Sequence, residues 1–324
     1  MISAARAAIW TFSAFAAVNI PLCIALALAA DAFCARAAHL GPFARARLLL
    51  AVRCLPVAAS TWVAAFMVLP SFLVFEPDSA SERTSLVGIA AAAVGVALFG
   101  YGIWRSGRAW HQLGALSRRW MAGAEPFTRV TVPMPVYRVG EHAPPMTLLG
   151  LVNPILLVSQ PLLDALNPEE LNTAFEHEFA HRRAWDNLKR LAIRMLPDVL
   201  PLFVGGRRIE REWVLAAEQA ADACAAWDGK ARIAMASALV KAARLPAAER
   251  TALASPLVDA DVITLRVERL LNPRRTEAQL VAVGHRYWLI VAAALVMLVV
   301  GTFADAAPFG TIHQVSEKLL ERLP

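Results

Sequence analysis

Apolar positions follow two different patterns along this chain. Four stretches are almost continuously apolar, at about 7–30, 54–75, 86–104 and 287–303. Each approaches the roughly 20 residues that a helix needs to cross a hydrocarbon core, the last on the short side. A cleaved signal peptide is the alternative for the first, because Arg6 precedes it, but its apolar run is longer than the usual signal core. The intervening segment, 105–286, changes character and alternates short apolar runs with charged and turn-forming residues.

Within that segment the pattern predicts a polar, Trp-bearing helix over about 109–122. It then turns β-like: "RVTVPMPVYRV" and "TLLGLVNPILLVS" are short apolar runs punctuated by Pro and Gly, with a loop around 141–145 between them. After "SQPLL" the period becomes helical. Asn167 is a good N-cap, Pro168 suits the first helical position, and Glu170 completes a capping-box spacing, so a helix is predicted through "NPEELNTAFEHEFAHRRAW". Further helices are predicted through "RRIEREWVLAAEQAADACAAW" and "ITLRVERLLN". At about 180 residues the segment is the size of one compact α+β domain.

Composition supports burial in lipid: 58% of residues are hydrophobic and 18% charged, against roughly 45–50% and about 25% in soluble domains. Charge then orients the spans, because Lys and Arg collect in short cytoplasmic loops. The loop 31–53 carries Arg36, Arg45, Arg47 and Arg53, whereas 76–85 carries Glu76, Asp78 and Glu82 against Arg83. Arg105, Arg108, Arg118 and Arg119 follow the third stretch. Both termini are therefore expected outside a bacterial-type inner membrane, with 105–286 in the cytoplasm. The same bias, with contact to anionic lipid, accounts for the sequence pI of about 9.5 without a nucleic-acid partner. The four cysteines, Cys23, Cys34, Cys54 and Cys224, have no C-x-x-C spacing and imply neither disulfides nor a thiolate metal site.

The chemistry centres on "HEFAH". Residues four apart lie on one helical face, so His177 and His181 can direct their imidazoles at one ion, with Glu178 flanking it as a general base. Two histidines and a carboxylate are a hydrolytic zinc set that keeps one position open. Glu218 is the expected third ligand. Asp222, one turn later, is expected to support a ligand histidine through its second ring nitrogen, and Asp186 is a further supporting candidate. For stabilising an oxyanion, spacing selects none among Tyr137, His142 and the arginines.

The stretches "NPILLVSQPLL", "LNPEELNTAFEHEFAHRRAWDN", "EREWVLAAEQAADACAA" and "LRVERLLNP" resemble the membrane zinc metallopeptidases typified by the BlaR/MecR antirepressors. The resemblance implies an α-helical membrane protein with four transmembrane helices and a cytoplasmic α+β zincin-like metallopeptidase domain. It further implies zinc held by His177, His181 and Glu218, with Glu178 as base, and a protein substrate on the cytoplasmic side, such as a transcriptional repressor. The chain departs from that family in lacking a penicillin-binding sensor domain after the last span; only 304–324 follows. In that tail Ile312, Val315, Leu319, Leu320 and Leu323 share one helical face suited to a membrane surface or a partner helix. The heat-shock and prenyl-protein type of membrane zinc protease also shares H-E-x-x-H and E-x-x-x-D. It places spans after the pentad, however, where 191–206 is interrupted here by Arg194, Pro197, Asp198 and Pro201. A membrane scaffold with a zinc site is the non-enzymatic alternative.

Overall fold

The computed structural model describes residues 2–75, 86–128, 133–245, 255–256 and 260–272. The expected fourth span at 287–303, the tail 304–324 and the acidic loop 76–85 lie outside the described residues.

Three helices are long and apolar enough to cross a membrane. They are α1 (Ile2–Ala37), α2 (Pro42–Trp62), which continues through a π-helical stretch (Val63–Val68) into α3 (Leu69–Phe75), and α4 (Leu86–Met121). Large apolar side chains such as Leu28, Leu55, Val96 and Ile103 point outward from them, which suits a lipid surround. Close approach of α1 and α4 depends on glycine. A Cβ on Gly95 would lie 2.4 Å from the backbone oxygen of Phe12. Nearby, the Ser13 hydroxyl donates to the Gly88 carbonyl at 2.8 Å.

Two expected boundaries shift. The segment 31–53 is not an open loop: helix persists to Ala37, turns at 38–41 and resumes at Pro42. Nor is the Trp-bearing helix at 109–122 separate, because α4 runs unbroken to Met121, with Leu113 and Trp120 buried along its polar half. At 1.5 Å per residue, the 36 residues of α1 and of α4 each reach about 54 Å, well beyond a hydrocarbon core of about 30 Å. The remaining described residues pack on these helices.

That remainder is built on a five-stranded sheet of order β1-β2-β4-β3-β5, comprising β1 (Glu125–Pro126), β2 (Val136–Val139), β3 (Met146–Leu149), β4 (Ile155–Ser159) and β5 (Ser255–Pro256). Strands β2 and β4 are parallel, and the other pairs are antiparallel. The apolar run of β4 is continuous because both of its faces are buried. Leu156 and Val158 pack with Phe175, Met235 and Leu239, whereas Leu157 packs with Trp120 and Val139.

After β4 come α5 (Gln160–Ala165), α6 (Pro168–Ala184), α7 (Asp186–Met195), a 3-10 turn (Leu200–Leu202), α8 (Val204–Ala225), α9 (Gly229–Ala243) and α10 (Ala260–Leu271). The sequence pattern missed α9 because its alanine-rich faces give little amphipathic contrast. The helix is capped by Asp228, whose side chain accepts from the Ala231 N–H at 2.7 Å.

The stretch 191–206 is not a span. It nevertheless docks tightly against two of the candidate spans: a Cβ on Gly205 would lie 2.0 Å from the Ala27 oxygen, and one on Gly102 2.4 Å from the Met195 oxygen. Charge reinforces the junction. Arg53 of α2, fully buried, donates to Asp198 at 2.7 Å and Glu210 at 2.8 Å, and Arg45 pairs with Glu212. Two arginines read from the sequence as orientation signals are therefore also structural partners of α8 and the turn before it.

Candidate metal centre

Helix α6 starts as its sequence specifies. The Asn167 side chain accepts from the Glu170 N–H and the Glu170 carboxylate from the Asn167 N–H, both at 2.9 Å. Ser237 and Lys241 of α9 donate to the same carboxylate, which fastens the helix start to the domain core. With this register Ala174 and Phe175 pack toward the sheet, while His177, Glu178 and His181 turn toward α8 and α10, all three essentially without solvent exposure.

Three donor atoms converge there. His177 Nε2 and His181 Nε2 are 3.2 Å apart, and Glu218 Oε2, from α8, lies 3.4 Å from each. Tetrahedral zinc, bound to N and O at about 2.0–2.2 Å, spaces its donors roughly 3.3 Å apart. The triangle thus fits three corners of such a shell, and this buried His-His-Glu group could hold a metal ion. Donor chemistry agrees, since two imidazoles and a carboxylate suit zinc.

The second nitrogen of each imidazole faces a carboxylate. His181 Nδ1 is 2.7 Å from Asp186 Oδ2, and His177 Nδ1 is 3.0 Å from Asp222 Oδ1. Asp186 reaches His181 because Trp185, between α6 and α7, adopts a left-handed conformation at φ 58°, rare for so bulky a residue. The turn is anchored from behind: Asn187 Nδ2 donates to the carbonyls of Leu148 and Gly150 at the end of β3. Five of the residues singled out in sequence, His177, His181, Glu218, Asp222 and Asp186, therefore form one connected cluster, and the sixth, Glu178, is buried beside it.

Two arginines complete the cluster. Arg266 of α10, 1% exposed, donates to both oxygens of Asp222 at 2.8 and 2.6 Å. It also lies 3.2 Å from Glu218 Oε2 and 3.4 Å from His177 Nε2. Arg190 of α7 donates to Glu218 Oε1 at 3.3 Å. Sequence reasoning missed both: Arg266 falls in the "LRVERLLN" stretch, but no spacing ties it to Asp222, 44 residues away. Tyr137 packs instead in the cluster of Trp120, Val139, Ala143 and Leu157.

Electrostatics divide the carboxylates into two kinds. Burial opposes ionisation of Asp222, yet Arg266 outweighs it and holds the carboxyl at about 2. Glu218 is likewise held well below the usual range, with His181, His177 and Arg266 overcoming burial. Glu178 goes the other way. Burial dominates and pushes its carboxyl up, and neither of its oxygens has a hydrogen-bond partner among the described residues. Burial therefore favours its protonated form.

Together these features define a mostly helical protein with three candidate membrane-spanning helices, a small sheet and a buried group able to hold a metal ion. Comparisons with models of known families, with curated proteins and with solved structures give no match to this chain.

Proposed function

We propose that the chain is a membrane-embedded, zinc-dependent endopeptidase of the H-E-x-x-H type that cleaves a cytosolic or inner-face protein, such as a transcriptional repressor. The observation that carries this reading is the buried Glu178 carboxylate, raised in pKa and without a hydrogen-bond partner among the described residues, beside three donor atoms spaced as zinc requires. A purely structural site has no use for such a base. The resemblance to the BlaR/MecR type supports the substrate class and a zincin-like domain, the arginine distribution supports its cytoplasmic side, and the apolar run 287–303 supports a fourth span.

In this reading His177, His181 and Glu218 hold zinc, with Asp222 and Asp186 fixing the imidazole tautomers. Bound zinc supplies Lewis acidity, polarising the scissile carbonyl and acidifying water near neutral pH. Glu178 takes the proton from the attacking water and returns it to the leaving amine. Arg266 places a fixed positive charge next to the donor atoms, where negative charge develops during attack. His177, Glu178, His181, Asp186, Glu218, Asp222 and Arg266 are all buried in this conformation, so hydrolysis requires the centre to open.

The decisive experiment measures zinc content and cleavage of casein-type and repressor substrates by the detergent-purified chain. One zinc per chain with chelator-sensitive cleavage is expected. Zinc without cleavage by any condition would favour the scaffold alternative, and a chain that binds no zinc would remove the reading altogether.

A further inference from the structure

Glu218 presents its two oxygens to different partners. Oε2 faces the two histidines, whereas Oε1 accepts from Nη2 of Arg190. Arg190 is itself confined: its guanidinium lies over the Trp213 ring, 5.9 Å from the centroid, and the side chain is only 12% exposed. Trp213 cannot readily swing away, because it is buried among Cys23, Leu49, Ile193 and Ile209. The cation is therefore held between a buried ring and the Oε1 oxygen of the ligand carboxylate.

A carboxylate can bind a metal through one oxygen or two. Two-oxygen binding here would fill the position that a hydrolytic site must keep free for substrate. Oε1 is engaged by the Arg190 guanidinium at 3.3 Å. Building on the metal-centre reading above, we infer that Arg190 is a positioning residue that restricts Glu218 to one-oxygen ligation through Oε2, so that the centre favours four-coordinate metals and keeps a position open. Arg266 does not duplicate this role, since its contact is with Oε2 and its main anchor is Asp222.

The test uses the full chain in detergent, loaded with Co2+ as a spectroscopic probe and with Zn2+ in chelator competition. Wild type is expected to give the intense visible absorption of four-coordinate Co2+. Arg190→Met should weaken that absorption toward the five-coordinate type and lower zinc affinity by about 10–100-fold, the range for residues that orient a ligand. Arg190→Lys, whose ammonium is long enough to donate to Oε1, should keep the wild-type spectrum. An Arg190→Met spectrum identical to wild type would overturn the inference, as would a Lys variant no different from a perturbed Met variant. If the Met variant does not fold, Arg190→Gln is read in its place: its amide is too short to reach Oε1, so a Met-like loss of intensity is expected and an unchanged spectrum overturns the idea. A wild-type chain that takes up neither metal would refute the metal centre itself, a different failure.

Discussion

Asp186 and His181 are held 2.7 Å apart across a turn of the chain at left-handed Trp185, so the residue that ends the pentad is oriented by the first residue of the next helix. Burial works against ionising Asp186, but His181 and Lys189 keep its carboxyl below the usual range. Replacing Asp186 with Ala should lower zinc affinity by about 10–100-fold, measured by chelator competition. Lys189→Ala should cost far less, because that side chain is one-third exposed and water can replace it.

Removing the base should separate binding from chemistry. Glu178→Gln is expected to retain zinc while peptide hydrolysis falls by at least the 10²–10⁴-fold typical of a general base. His177→Ala and His181→Ala should lose the metal, and Glu218→Ala should cost more zinc affinity than Asp222→Ala. Normal turnover by the Glu178 variant would exclude the proposed mechanism.

The Arg53–Asp198 pair, with no exposure on either side chain, makes a stability prediction. Arg53→Met leaves Asp198 as an uncompensated buried charge, which typically costs about 3–5 kcal/mol. Pairing the change with Asp198→Leu should recover most of the loss, since an apolar pair avoids desolvation altogether. Denaturant unfolding of the solubilised chain, compared across the single and double variants, checks both statements.

Close backbone approach predicts a contrast between glycines. Gly205→Ala would drive a Cβ to 2.0 Å from the Ala27 oxygen, so α8 must shift from α1, at a cost of about 1–3 kcal/mol or more. Gly100→Ala meets nothing within 4 Å and should be neutral or stabilising. Equal melting temperatures for the two variants would contradict this packing.

Orientation is tested by labelling. Single cysteines at Ser79, which lies outside the described residues, and at Gly123 should differ toward an impermeant thiol reagent in intact cells, in a background lacking the native four cysteines. The arginine distribution places Ser79 outside and Gly123 inside. Labelling of Gly123→Cys from outside would overturn the scheme and the cytosolic location of the centre.

Local physics made several elements legible from the sequence. Uninterrupted apolar runs marked the three long helices, because length and hydropathy are properties of a segment alone. The capping box at Asn167 and Glu170 fixed the register of α6, and four-residue spacing then put His177 and His181 on one face. The E-x-x-x-D spacing likewise singled out Glu218 and Asp222 before any contact was known. Only the tertiary structure decided how these parts meet. Whether Glu218 lies within 3.4 Å of the histidines depends on how α8 packs across α6, and that packing follows from burial of Ile209 and Trp213 against α1 and α2 rather than from periodicity. Arg266, Arg190 and Arg53 were illegible for the same reason. In sequence each is one arginine among many, and its role comes from being carried into a water-poor interior where a guanidinium persists only beside carboxylates supplied by distant segments.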